Sequence, residues 1–228
     1  MSGSPTPVAT TMVQVPPATP TAAPVNVAST LLTRGVAGLE QARSFRFTIE
    51  AVHHWQVPGG EAYDWAYTGE GAAIPPGRFY SVMRGPVDAV FEAKIIDGKV
   101  TNVDTRGQRP SASTAFGAPG AGASPFTMIA YLKNATPQGL AQAVSLNGIE
   151  TQRFAFSPDL VKVSATDASH ATIQAQVQAI QGSVWIDAKT GRVAQETVTV
   201  QSIDTGGQPQ TVTISLKFSD YDAPVEIK

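Results

Sequence analysis

Cysteine is absent from this 228-residue chain, which removes disulfides, thiolate catalysis and cysteine metal sites together. Histidine is nearly as scarce, at three residues. Two of them, His53 and His54, are adjacent in what reads as a strand, so their side chains point to opposite faces and do not ligate one metal jointly. Charge is sparse, 15% of residues with a formal net charge of -2. With no basic excess and no acidic tail, a nucleic-acid partner is not implied. No apolar run approaches the roughly 20 residues needed to cross a bilayer, and the N-terminus lacks the charged segment and apolar core of a signal peptide. A Gly-x-Ser-x-Gly nucleophile elbow is missing. The glycine-rich Gly117–Ser124 stretch lacks the lysine and the strand–loop–helix setting of a phosphate loop. Asp187, Asp204, Asp220 and Asp222 fall at turns or strand ends, where aspartate commonly bonds its own backbone. These absences leave no recognisable active site, so the chain is read as a non-enzyme that uses no cofactor or metal.

What is present is a succession of alternating apolar strands. Residues Met1–Pro24 are rich in Pro, Thr, Ala, Ser and Gly and almost uncharged. Such a segment buries too little apolar surface to offset its ordering entropy, so residues 1–25 read as a flexible linker and 26–228 as one domain. In Asn26–Ala42, apolar Val27, Leu31, Leu32, Val36 and Leu39 recur at helical spacing. Gly35 and Gly38 weaken that helix but let it lie close to a sheet. Ser44–Val57 then places Phe45, Phe47, Ile49, Ala51, Trp55 and Val57 on one strand face. Four more strands follow across short turns: Ala62–Ala73, Phe79–Arg84, Val87–Ile96 and Val100–Thr105. Asp97-Gly98 supplies a hairpin signal between the last two. The order predicts an antiparallel meander rather than βαβ units.

Gly107–Ser124 is too long for a hairpin turn and reads as a lid or rim loop. Pro125–Ala135 predicts a short second helix, with Phe126, Ile129 and Leu132 on one face. Leu140–Ser145 shows no readable period. Gly148–Ser157, with Phe154 and Phe156 in alternation, predicts a strand, and Asp159–Val163 a helical turn. Thr172–Gln181 predicts the start of a long strand running into Trp185. Gly182–Val200 predicts a hairpin across Asp187–Gly191, in which Trp185 faces away from Val184 and Ile186. Thr211–Phe218 completes a terminal meander. So large a sheet, with so few helices to cover it, closes incompletely and can leave a cavity. The apolar residues available to line it are Leu31, Leu32, Phe47, Ile49, Trp65, Tyr67, Phe91, Ile95, Phe126, Ile129, Leu132, Phe154 and Phe156.

Three phrases carry a resemblance to a known family. They are Leu39 with Ser44-Phe45-Arg46-Phe47, then Val184-Trp185-Ile186-Asp187-Ala188-Lys189-Thr190-Gly191-Arg192-Val193, then Phe218-Ser219-Asp220-Tyr221-Asp222-Ala223-Pro224-Val225-Glu226-Ile227. In wording and order the chain from about Val27 to Lys228 resembles the LolA-like superfamily of bacterial lipoprotein carriers, most nearly its LppX and LprG branch. The resemblance implies an α+β, mostly β fold, a half-open antiparallel barrel of about eleven strands with helices covering a hydrophobic cavity. It implies binding and transport or presentation of lipids or acyl chains outside the cytoplasmic membrane. It also implies an N-terminal lipid anchor, which would make residues 1–25 a tether and place the signal peptide and lipidated cysteine before Met1, and an envelope transporter as partner. The competing expectation is an envelope structural or sensor domain of the same fold with a filled core.

Overall fold

Strict alternation along so many segments builds one sheet with an apolar face and a polar face. The computed structural model describes residues 27–56, 59–86, 89–96, 99–104, 124–166, 177–203 and 207–227. Among the described residues, three helices and ten strands run in the order α1 (Val27–Glu40), β1 (Phe45–Gln56), β2 (Ala62–Ile74), β3 (Arg78–Arg84), β4 (Val90–Ile96), β5 (Lys99–Asp104), α2 (Pro125–Lys133), β6 (Ala135–Leu146), β7 (Ile149–Pro158), α3 (Leu160–Thr166), β8 (Val177–Asp187), β9 (Val193–Ile203) and β10 (Pro209–Ser219). All ten strands lie in one antiparallel sheet ordered β5-β4-β3-β2-β1-β10-β9-β8-β7-β6. Two meanders of five strands are therefore joined through the β1–β10 pair, in register from Arg46↔Ser219 to Trp55↔Gln210. The free edges are β5 and β6, so the sheet is open.

The expected class, mostly β with an open antiparallel sheet and helices, is what forms. Ten strands form among the described residues, beside the eleven or so that the resemblance implied. The unread Leu140–Ser145 lies within β6. Its period is hidden because Gly139 takes a left-handed φ of 73° and the pairing with β7 shifts between Gln138 and Gln142. As an edge strand exposed along most of its length, β6 also has no apolar face for the sequence to show. The expected helical turn after Asp159 is α3, whose first N–H groups, at Val161 and Lys162, donate to the Asp159 carboxylate at 3.1 and 3.3 Å. The expected linker 1–25 and the loop 107–123 lie outside the described residues.

The helices pack on the inner face. Ala28, Leu32, Gly35, Val36 and Leu39 of α1 are buried. Gly35 lies so close to the sheet that an added Cβ would stand 3.0 Å from Ile186 Cδ1 and 3.1 Å from Val193 Cγ2, which bears out the expected close approach. Helix α2 is capped by Ser124, whose hydroxyl accepts from Phe126 N at 3.2 Å. It buries Met128, Ile129, Tyr131 and Leu132. An exposed ion pair, Lys133 Nζ to Glu40 Oε1 at 2.8 Å, ties α2 to the end of α1.

Candidate functional site

Register sets which residues share the inner face. Phe47 stands opposite Gly71 and Phe218, Ile49 opposite Gly69 and Leu216, and Ala51 opposite Tyr67 and Ile214. Farther out, Gly69 faces Met83 and Met83 faces Phe91, while Phe79 faces Ile95. On the other meander, Val198 faces Gly182 and Gly182 faces Phe156, while Val184 faces Phe154 and Glu196. The large rings reach across the sheet over glycines. A Cβ on Gly71 would stand 2.5 Å from Phe47 Cζ, and one on Gly182 2.4 Å from Phe156 Cζ.

Of the thirteen residues expected to line a cavity, eight strand residues (Phe47, Ile49, Trp65, Tyr67, Phe91, Ile95, Phe154 and Phe156) share this inner face by register. Leu31, Leu32, Phe126, Ile129 and Leu132 come from α1 and α2 and pack into or against the same core. Their degree of cover differs along the inner face. Phe47, Ile49, Tyr67, Leu132, Phe154 and Phe156 are buried, while Leu31, Phe91, Ile95 and Phe126 are partly so. Phe126 meets Phe79 edge to face at 5.9 Å. Trp65 is 45% exposed although it points inward, as does Tyr63 at 47%. In the last hairpin, the inner residues are Val184 and Ile186, both fully buried, and Trp185 faces outward with the Arg153 guanidinium 5.0 Å from its ring.

Two groups were missed from the sequence. The first is Glu196, on the inner face between Leu216 and Val184. It is fully buried, and neither carboxylate oxygen has a hydrogen-bond partner among the described residues. Burial pushes its carboxyl well above the usual carboxylate range. The signal was available, since Glu196 has the same parity as Val198 and Val200. The second is the row Tyr63, Trp55, Gln210 and Ser202 across the exposed end of the inner face. There His53 Nε2 bonds Gln210 Oε1 at 2.9 Å, while His53 Nδ1, the Trp55 indole nitrogen and Ser202 Oγ are buried without partners among the described residues. His54, on the opposite face, meets Asp64 at 2.7 Å. The two histidines thus diverge as the alternation required.

The three sequence phrases converge at the other end. Arg43 N donates to Asp222 Oδ1 at 2.8 Å, and the Arg192 guanidinium bonds Asp222 Oδ2 at 2.5 Å. Those bonds, the Arg43 amide first, hold the Asp222 carboxyl below its ordinary range. The Ser44 hydroxyl donates to the Ala223 carbonyl. Tyr221 donates to Val193 O at 2.8 Å and packs on Phe45 at 5.9 Å. Asp187 Oδ1 accepts from the amides of Lys189 and Thr190 at 2.7 and 2.9 Å, and Arg34 of α1 donates to Thr190 O at 3.0 Å.

Described residues line concavities on both sides of the sheet. One, of about 340 Å³, runs between α1, α2 and β6 over Leu32, Val36, Leu132 and Pro137. The other, of about 710 Å³, is a shallow groove reached from the outer side of β7–β9, lined by Ser183, Thr197 and Thr199 among others. No helix among the described residues is long and apolar enough to cross a membrane.

The geometry defines an open ten-stranded antiparallel sheet whose apolar face is roofed by short helices. No family model matches the chain, and no curated protein matches it. Among solved structures it is similar to a DUF1329 family protein from Desulfovibrio piger, at 12% identity and a TM-score of 0.39, covering 90% of this chain and 95% of that one. It is also similar to a chain of the MucA/MucB complex of Pseudomonas aeruginosa, at 15% identity and a TM-score of 0.37, covering 88% of this chain and 59% of that one. A LolA superfamily protein from Nitrosomonas europaea matches at 11% identity and a TM-score of 0.23, covering 87% of this chain and 94% of that one.

Proposed function

We propose that the chain binds acylated molecules within its inner face and carries or presents them outside the cytoplasmic membrane, without chemical conversion. The observation that supports this reading is the uneven cover of one continuous apolar surface. Helices α1 and α2 seal one end, whereas inward-pointing Trp65 and Tyr63 remain nearly half exposed at the other. Large aromatic rings left exposed on the apolar face of a sheet are the kind of surface that marks a ligand-binding groove. Each methylene transferred from water contributes about 0.8 kcal/mol, so a sixteen-carbon chain gains on the order of 12 kcal/mol before ordering costs. Apolar contact is therefore sufficient for capture. Residues 1–25 serve in this reading as the tether of a lipid-anchored protein, with an envelope transporter as the exchange partner.

A second reading, a filled envelope sensor or scaffold domain, is favoured by the covered end, where Leu39, Phe45, Leu132, Ile186 and Leu216 are all fully buried. Organic extraction of the purified full chain, followed by mass spectrometry, separates the two. Co-purified or exchangeable acyl lipid is expected. Its absence, even after loading with detergent-solubilised lipid, sinks the carrier reading and leaves the filled domain.

A further inference from the structure

The end of the inner face opposite the Asp222 clasp has a chemistry that apolar capture does not use. Two cross-strand rows meet there. Tyr63, Trp55, Gln210 and Ser202 form the first, and Trp65, His53, Val212, Val200 and Ile180 the second. Trp55 and Trp65 pack edge to face with centroids 6.4 Å apart, leaving Trp65 and Tyr63 as exposed flat walls. His53 and Ser202 are at least nine-tenths buried, and one side-chain atom each of His53, Trp55 and Ser202 is buried without a partner among the described residues. Buried polar atoms are nearly always bonded, so three orphans in adjacent rows point to a missing partner.

The kind of partner follows from what each atom offers. In the tautomer that lets Gln210 Oε1 accept from His53 Nε2–H, Nδ1 is an acceptor. The Trp55 indole N–H is a donor only, and the Ser202 hydroxyl is both. A donor, an acceptor and a hydroxyl together match groups that donate and accept in turn, which is the behaviour of alcohols. None of the nine residues in these rows is Asp, Glu, Lys or Arg. An anionic phosphate would find one indole N–H and one hydroxyl there and no Lys or Arg to replace its hydration. The flat walls of Trp65 and Tyr63 suit the C–H face of a polyol.

We propose that this end of the inner face is a headgroup site for an uncharged, hydroxyl-bearing lipid head. The assignment rests on the acyl-binding reading above and deepens it. The test compares three probes sharing one acyl chain: 1-palmitoylglycerol, methyl palmitate, and 1-palmitoylglycerol 3-phosphate. Binding is followed below micellar concentrations by tryptophan emission in a Trp185→Phe background, so that the signal comes from Trp55 and Trp65. The expected result is that 1-palmitoylglycerol binds about tenfold more tightly than either other probe, the value of one or two ligand hydrogen bonds. Trp55→Phe keeps the ring and removes the N–H, and Ser202→Ala removes the hydroxyl. Each is expected to cut that preference about fivefold while methyl palmitate affinity and the melting temperature stay unchanged. Equal binding of all three probes, tighter binding of the phosphate, or variants that weaken all three alike would overturn the headgroup site while leaving the acyl site standing. Failure of every probe to bind overturns the acyl reading itself, and the headgroup site with it.

Discussion

Glu196 stands where the alternation of β9 demands an apolar residue. A carboxyl group without partners in an apolar interior costs stability even when protonated, and more if it must ionise. Replacing it with leucine, close in volume, is expected to raise unfolding stability by about 1–3 kcal/mol at neutral pH. The pH dependence has a definite sign. Burial raises the carboxyl's folded-state value, so the folded chain keeps a proton that the unfolded chain releases above about pH 4.3. Stability contributed by this group is therefore whole below that point. It declines as pH rises toward the elevated folded value, by at most about 1.4 kcal/mol per pH unit. Urea midpoints of wild type and Glu196→Leu at pH 5 and pH 8 measure it. The wild type should weaken with pH more steeply than the variant, and parallel trends would show that Glu196 is solvated or paired in solution.

At the scale of elements, the inner face is held open and filled by glycine–aromatic interlocks between neighbouring strands. Phe156 on β7 lies over Gly182 on β8, where a Cβ would also stand 2.8 Å from Thr197 O of β9. Since both the backbone and the ring are in the way, Gly182→Ala is expected to cost about 1–3 kcal/mol by overpacking. In a Phe156→Leu background the same change should cost less. A double-mutant cycle with no coupling would show that the ring moves aside freely. Gly35 poses the opposite case. Alanine there must displace only methyl groups by a few tenths of an ångström, and it recovers about 1 kcal/mol of helix propensity, so Gly35→Ala should be nearly neutral. Gly35→Leu has no room against Ile186 and Val193 and should lift α1 from the sheet, read as dye binding to newly exposed apolar surface. This layer of the structure was only partly legible in the sequence. Two-residue periodicity placed β1–β4 and β7–β10 and put Phe47, Ile49, Phe154 and Phe156 on one face, because each strand buries one side. It was silent on β6, polar on both sides, and on the β1–β10 pairing, which joins residues about 160 positions apart in the chain. The three phrases that carried the family resemblance turn out to be one clasp, Arg43 and Ser44 against Asp222 and Ala223, with Arg192 and Tyr221 between. They mark how this sheet is fastened at one end, and none of their residues lies in the Tyr63–Ser202 and Trp65–Ile180 rows at the other. That site escaped notice because His53, Trp55, Ser202 and Gln210 come from three strands and acquire meaning only in register.

For the whole molecule, the question is whether the exposed Trp65 and Tyr63 end of the inner face is an unfinished core or a site awaiting occupancy, and thermodynamic linkage answers it whatever the natural ligand is. A ligand that binds only the folded chain adds RT ln(1 + [L]/Kd), about 2.7 kcal/mol at a hundredfold excess over Kd. For a domain of 150–250 residues each kcal/mol moves the midpoint by about 2–4 °C, so saturation with a suitable acyl probe should raise Tm by roughly 5–10 °C. Adsorption to the outside of the protein gives no such shift, because the unfolded chain offers apolar surface at least as freely. The position of the effect can be tested with Gly69→Val. Gly69 lies on the inner face between Ile49 and Met83, where a Cβ would stand 2.9 Å from Met83 Cα. That variant should lower the ligand-free Tm and, by crowding the lining, also shrink the ligand-induced increment. A filled core predicts the first effect without any increment to shrink. A carrier predicts both, and the size of the second reports how far along the inner face the acyl chain extends past the Trp65 end.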